Sequence, residues 1–136
     1  MQHLEPEFQK YYRDFSDSFN RYKIMAKKAK EDREKDIVIQ RFLYTYTIFL
    51  SFLPYLLKKF NVICRFPSDC IKKAVHFGLI SGEKLFLEML DDKYELTQFN
   101  NQKVPDNLYQ RISIKYVIAL GSFLERIEAK YINSSR

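Results

Sequence analysis

The stretch that decides the fold is residues 36–60, which read DIVIQRFLYTYTIFLSFLPYLLKKF. Apolar side chains recur here at steps of three and four, the spacing of one face of an α-helix. This stripe consists of Ile39, Phe42, Tyr46, Phe49, Leu53, Leu56 and Phe60. Because Leu43, Leu50 and Leu57 widen the stripe, we expect a central helix that is covered on more than one side. Pro54 lies inside the segment and removes one backbone donor, which predicts a bend.

The same stretch contains sixteen consecutive residues without a charge, from Phe42 to Leu57. A membrane-spanning helix needs about 20 apolar residues, and polar tyrosine, threonine and serine side chains interrupt this one. We therefore predict a buried core helix. The first residues lack the basic segment and apolar run of a signal peptide, so we expect a cytoplasmic protein. Cys64 and Cys70 are then expected to be reduced thiols, with a redox pair as the alternative.

The remainder of the chain predicts four further helices with short connections. They are expected at about residues 5–30, 68–77, 83–92 and 104–132. The charged run 31–36 is expected to be a solvated turn or a helix start, and residues 93–103 the end of a helix and then a loop. We therefore predict one all-α domain, residues 1–136, folded as an up-and-down antiparallel helical bundle: four core helices with an extra short helix.

Composition and motifs exclude several classes of protein. Among 136 residues, 46% are hydrophobic and 16% aromatic, which excludes a disordered chain, and three Gly and four Pro are too few for a turn-rich sandwich or barrel. A net charge of +6 favours acidic partners or nucleotides. The sequence has no glycine-rich phosphate loop and no metal motif, and neither His3 nor His76 has a visible catalytic partner. We predict no metal and no cofactor.

One pair of carboxylates, Asp91 and Asp92, has catalytic potential by composition alone. Neighbouring residues on a helix point about 100° apart, so these two do not form a shared acid–base dyad. A solvated helix end is the expected explanation for the pair.

Two blocks of sequence carry a more specific pattern. Residues 36–42, DIVIQRF, are followed by Tyr-Thr-Tyr at 44–46, and residues 67–92 read PSDCIKKAVHFGLISGEKLFLEMLDD. In order and spacing these blocks resemble the nucleotidyltransferase substrate-binding family, small helical proteins of the HEPN superfamily that are encoded beside a minimal nucleotidyltransferase. The resemblance covers about residues 5–130 and implies the same helical fold.

The resemblance also implies a functional motif directly after Asp92. Its usual form is Arg-Asn, three residues, His, one residue and Tyr, and the corresponding residues here are Lys93, Tyr94, Gln98 and Asn100. In relatives that resemble metal-independent ribonucleases, the histidine moves a proton and the arginine holds the phosphate. Gln98 does not titrate near neutral pH, and Lys93 lacks the planar fork of arginine. Asn100 replaces a tyrosine that accepts a nucleotidyl group, for which Tyr94 or a neighbouring tyrosine is an alternative acceptor.

Further departures from the family fall on the second helix. Leu43 and Thr47 stand where its members commonly carry glutamate, and Leu50-Ser51 replaces a Trp-Lys pair. Polar groups near the expected groove have thus become largely apolar. Arg41 is retained, and it either grips a phosphate or carboxylate or reaches solvent from the helix.

These features together imply a non-catalytic substrate-binding partner of a minimal nucleotidyltransferase, in a two-component, toxin–antitoxin-like system. We expect a homodimer that binds a nucleotide or RNA and no membrane. Its groove is expected to comprise Arg41, Asp92, Lys93, Tyr94, Gln98 and Asn100, beside Phe99. The alternatives are a divergent HEPN ribonuclease toxin, against which the missing histidine counts, and an orphan structural or regulatory bundle.

Overall fold

The computed structural model describes residues 4–98 and 103–133, and five helices form in these ranges. The first four are α1 (Pro6–Lys28), α2 (Asp32–Lys58), α3 (Pro67–His76) and α4 (Glu83–Leu96). The last, α5, covers residues 106–132 as α-helical Asp106–Gln110, π-helical Arg111–Lys115, α-helical Tyr116–Ile127 and π-helical Glu128–Ile132. The described residues contain no strand, so the predicted all-α class is confirmed.

Ring contacts fix the directions of the three long helices. Phe8 near the start of α1 lies 5.9 Å from Phe52 near the end of α2, centroid to centroid. Tyr22 near the end of α1 lies 5.9 Å from Phe42 near the start of α2, so these helices are antiparallel. Phe8 also lies 5.4 Å from Tyr131 near the end of α5, which therefore runs antiparallel to α1.

Helix α4 completes an up-and-down bundle. Near its start, Phe86 packs on Phe49 at 5.2 Å, and Phe49 in turn meets Phe123 in the second half of α5 at 4.9 Å. Further along α4, Asp92 accepts a hydrogen bond from Tyr116 in the first half of α5. Helices α4 and α5 are therefore antiparallel, and α3 is the extra short helix that the sequence predicted.

Helix α2 lies at the centre of the bundle. Its buried residues are Val38, Ile39, Phe42, Thr45, Tyr46, Phe49, Phe52, Leu53, Leu56 and Leu57. All of them except Thr45 belong to one contiguous hydrophobic cluster that includes side chains of all five helices. By length and composition α2 also passes as a membrane-spanning candidate among the described helices, with 44% of its most apolar window buried inside the protein. The helix continues through Pro54, and the bend expected there stays a prediction.

Two helix boundaries differ from the sequence prediction for identifiable reasons. Helix α2 begins at Asp32, because Glu31 and Glu34 form a reciprocal capping box that turns the charged run into a helix start. Helix α4 continues past Asp92 to Leu96, whose side chain is buried and holds the additional turn against the core. Asp92 therefore lies inside a helix, and its expected place at a solvated helix end was wrong.

Cys64 and Cys70 are joined in a disulfide bond, which corrects the expectation of two reduced thiols. Their Cα atoms lie 5.0 Å apart, within the range that a disulfide spans, because the chain turns between α2 and α3. The carboxylate of Asp69 holds this turn by accepting hydrogen bonds from the backbone N–H of Arg65 and the ammonium group of Lys73. The turn brings the two sulfur atoms together. The spacing of the cysteines, which is not CxxC, could not predict this turn.

Candidate functional site

A buried carboxylate, that of Asp92, lies directly before the segment in which the sequence predicted a functional motif. Asp92 is only 4% exposed, and Arg111 donates to both of its oxygens, from Nε to Oδ2 at 2.9 Å and from Nη2 to Oδ1 at 3.0 Å. The hydroxyl of Tyr116 also donates to Oδ2. Paired bonds of this kind are charge-assisted and fix the orientation of both groups. The carboxylate of Asp92 is therefore saturated by side chains of α5.

A π-helical turn explains why Arg111 and Tyr116 face the same carboxylate. On a regular α-helix, residues five positions apart point about 140° away from each other. The segment Arg111–Lys115 is π-helical, and its i→i+5 hydrogen bonds bring residues five apart onto one face. The hydroxyl of Tyr22 on α1 donates to the carbonyl of Ile112 within this turn, which ties the turn to the core.

The electrostatics of this cluster keep its groups in fixed protonation states. Burial, followed by the hydrogen bond to Asp92, raises the pKa of the Tyr116 hydroxyl far above its usual value. The hydrogen bond to Asp92 raises the pKa of the Arg111 guanidinium, although burial opposes it. Glu88 lies 4.0 Å from Arg111 and accepts a hydrogen bond from Lys115 at 3.0 Å. Tyr116 therefore stays protonated and Arg111 stays charged throughout the physiological pH range.

The other predicted motif residues lie at or near the surface beyond Asp92. Lys93 is half-buried, and its Nζ atom lies 5.6 Å from the centre of the Tyr94 ring. Tyr94 is 52% exposed, and Gln98 is exposed. Asn100 and the neighbouring Phe99 lie outside the described residues. The structure thus separates the predicted residues into one buried carboxylate and a short exposed segment.

Arg41 lies elsewhere, in a surface depression of about 550 Å³ along α2. The depression is lined by Arg33, Asp36, Ile37, Gln40, Arg41 and Tyr44. Among the described residues, no hydrogen bond or ion pair joins Arg41 to any side chain, including Asp92 and Lys93. The half-buried guanidinium remains open to a ligand or to solvent, the two alternatives that the sequence left.

Sequence reasoning did not identify Arg111 or Tyr116 as a partner of Asp92. A signal was nevertheless present, because Asp92 falls three residues after Met89 and four before Leu96, on the inner face of α4. A carboxylate on a buried face needs a cation or several donors. The sequence alone does not indicate the π-helical turn that selects Arg111.

The family to which this bundle belongs follows from its sequence. The model of a family described as "nucleotidyltransferase substrate binding protein like" matches residues 6–129. The match covers most of the chain, which therefore belongs to this family and is linked through it to nucleotidyltransferase substrate binding. No curated protein is significantly similar in sequence to this chain. Within the described residues, no group of three or more His, Cys, Asp or Glu side chains is placed to hold a metal ion.

Proposed function

We propose that this chain is the non-catalytic substrate-binding partner subunit of a minimal nucleotidyltransferase, in a two-component, toxin–antitoxin-like system. Family membership supports the link to a nucleotidyltransferase. The observation that carries the non-catalytic part is the saturation of Asp92, whose two oxygens already accept three hydrogen bonds from Arg111 and Tyr116. A carboxylate that is buried and bonded to side chains on both oxygens is suited to orienting α4 and α5, and it is not presented to a substrate as a free base.

Catalysis at the end of α4 would need a side chain that titrates near neutral pH and reaches the substrate. Gln98 stands where the family motif has its histidine, and an amide neither gives nor takes a proton in this range. The region is therefore better suited to hold a ligand than to transform one.

Binding would use the accessible groups of two places, the depression along α2 and the segment after Asp92. A guanidinium such as that of Arg41 forms paired hydrogen bonds with a phosphate or carboxylate. Lys93 adds a second positive charge, and the ring of Tyr94 offers an exposed face and a hydroxyl that is a candidate acceptor of a nucleotidyl group. Gln98 and Asn100 extend this segment along the chain. We propose that these five residues form the degenerate-motif groove, with Arg41 contributing from the depression along α2 and Asp92 as the buried support of the segment that follows it.

The test is co-expression with a minimal nucleotidyltransferase encoded beside this chain, followed by size-exclusion chromatography with light scattering. Alone, the protein is expected as a homodimer with twice the chain mass of 16.4 kDa. With the enzyme, we expect a stable mixed complex. A homodimer that ignores the enzyme contradicts the proposal. Intact mass spectrometry of the complex then tests for a transferred nucleotide, which Tyr94→Phe should abolish if that hydroxyl is the acceptor.

A matched pair of arginine variants makes the test specific. Arg41→Ala is expected to weaken the mixed complex or its nucleotide loading by about tenfold, the effect of one lost charge-assisted contact. Arg21→Ala removes an exposed arginine of α1 and should change neither. Equal effects from both variants would indicate a general loss of positive charge. RNA cleavage that survives metal removal and disappears in Lys93→Ala would instead establish a ribonuclease.

A further inference from the structure

A second cavity lies at the opposite end of the bundle, between the start of α1, the end of α2 and the segment that follows α2. Its volume is about 570 Å³, within the range of small-molecule sites. It is lined by Glu5, Glu7, Tyr11, Ser51, Pro54, Tyr55, Lys58, Lys59, Val62, Ile63 and Cys64. The walls thus combine flat rings, apolar surface and two lysines, and the disulfide to Cys70 fixes one wall covalently.

One lysine of this cavity is held in an unusual setting. The Nζ atom of Lys59 lies 5.1 Å from the ring centre of Tyr55, 5.9 Å from that of Phe8 and 5.8 Å from that of Tyr131. It also donates to Oε1 of Glu5 at 2.6 Å. Three rings around one ammonium group fix its position. The cation is therefore preorganised, and Glu5 supplies its only carboxylate among the described residues.

The hydroxyl of Tyr55 is buried beside this ion pair without a hydrogen bond of good geometry. Burial is the main cause that raises the pKa of the Tyr55 hydroxyl; the charge of Glu5 and hydrogen bonding with it also raise that pKa, and those of Lys59 lower it, so both groups approach this hydroxyl without forming a well-aligned bond. A buried hydroxyl that lacks a well-placed partner is unfavourable, because the hydrogen bonds that it made with water are not replaced. The Glu5 side chain is 58% exposed, and an ion pair with such an exposed carboxylate contributes little to stability. Glu5 is therefore weakly held, whereas Tyr55 would gain from a better acceptor.

We infer that this cavity binds a nucleoside monophosphate whose phosphate replaces the carboxylate of Glu5. A phosphate oxygen would accept hydrogen bonds from both Lys59 and the Tyr55 hydroxyl. With Glu5 displaced, Lys58 and Lys59 outnumber Glu7 along the lining, so the site becomes net positive for the anion. Tyr11, stacked on Phe52 at 5.4 Å, supplies a supported ring against which a base can lie. The choice of a nucleotide rests on the proposed function, while the anion site rests on the geometry.

Calorimetric titration of the isolated full chain with AMP tests this inference, with adenosine and inorganic phosphate as the partial ligands. AMP is expected to bind more tightly than either part, and Glu5→Gln should tighten AMP binding by removing the internal competitor. Phosphate that binds as tightly as AMP would overturn the nucleotide assignment. Absence of AMP binding to both the natural chain and Glu5→Gln would overturn the site.

Tyr55→Phe separates ligand binding from structure. The variant keeps the ring and removes only the hydroxyl, so AMP affinity should fall about tenfold, the value of one hydrogen bond to a charged group. The thermal midpoint of the ligand-free protein should stay unchanged. If the hydroxyl had a structural role, the midpoint of Tyr55→Phe would fall. Lys35→Gln is the matched control, since Lys35 lies 5.3 Å from the ring of Tyr109 in a different pocket. An unchanged affinity in Tyr55→Phe would overturn the inference.

The two proposals fail separately. If the chain binds AMP but forms no complex with the nucleotidyltransferase, the cavity proposal is supported and the partner role is refuted. A mixed complex whose isolated subunit binds no AMP would refute the cavity and leave the partner role intact.

Discussion

At each end of the bundle a carboxylate, a cation and a tyrosine hydroxyl meet, yet the two groups differ in every property that decides their role. At one end, Asp92 is buried and accepts bonds from both Arg111 and Tyr116. At the other end, Glu5 is exposed and pairs with Lys59 through one contact. The Tyr55 hydroxyl beside that pair has no well-formed bond.

The comparison teaches that hydrogen-bond saturation distinguishes a structural charge cluster from a candidate binding site. The same three kinds of side chain occur in both places, so composition does not separate them. In the Asp92 cluster the fork of arginine satisfies a carboxylate on two sides. A lysine ammonium is a point charge whose other donors remain available to a ligand. The charged groups around Asp92 therefore bind one another and hold the fold together. The groups around Lys59 still have hydrogen-bonding capacity that a ligand could use.

The largest expected effect comes from breaking the saturated cluster. Asp92→Ala leaves the Arg111 guanidinium without its main partner and should lower the free energy of unfolding by about 3–5 kcal/mol. Asp91→Ala, at the exposed neighbouring position, should change it little. Urea denaturation of the two variants measures the difference. Similar losses would mean that the Asp92 ion pair contributes no more than a surface charge.

The Asp92 cluster also marks the limit of what the sequence could predict. Helical periodicity identified all five helices and the central position of α2, because burial of apolar stripes dominates both. Periodicity of 3.6 residues could not place Arg111 and Tyr116 on one face, because the π-helical turn between them changes the period locally. Helix α4 ends at Leu96, inside the segment 93–103 that was predicted to contain its end, but the burial of Asp92 and Leu96 in its last turns was not predicted.

The sequence did not predict the second cluster, because the members of that cluster are far apart in the chain. Glu5 and Lys59 are separated by 54 positions, and Tyr131 approaches them from the end of α5. Only the antiparallel packing of α1, α2 and α5 brings them together. The disulfide was missed for a different reason: its cysteines are only six positions apart, but the turn that joins them is held by the side chain of Asp69.

The disulfide gives the next largest expected effect. It fixes the cavity wall at the Lys59 end of the bundle, so its removal tests that end separately from the Asp92 end. Cys64 and Cys70 close a short loop, six positions apart, and chain-entropy arguments give about 2 kcal/mol for such a bridge. Reductant should therefore lower the thermal midpoint of the natural chain. The double variant Cys64→Ala/Cys70→Ala should start from a lower midpoint and not respond to reductant.

The same bridge bears on where the protein works. Disulfides are uncommon in a reducing cytoplasm, so the bond and the predicted cytoplasmic location lead to opposite expectations. Rapid alkylation of cells before lysis, followed by intact mass spectrometry, decides between them. Two alkylated cysteines would support the reducing compartment, and an unmodified chain would support the bridge.

The smallest expected effect separates the two clusters by their hydroxyl groups alone. Tyr116→Phe removes a bond to a buried carboxylate that keeps its arginine, so the loss should be about 1.5 kcal/mol in the free energy of unfolding. Tyr55→Phe removes a buried hydroxyl without a well-formed bond and should leave stability unchanged or slightly higher. Paired urea denaturation curves measure both variants under the same conditions. Each variant loses one oxygen atom from a packed ring, so the small cavity that results should cost about the same free energy in both. The difference between their losses in unfolding free energy therefore measures the hydrogen bond of Tyr116. A loss in Tyr55→Phe as large as that in Tyr116→Phe would mean that Glu5 or Lys59 already forms a hydrogen bond with the Tyr55 hydroxyl. The groups around Lys59 would then have no free hydrogen-bonding capacity for a ligand.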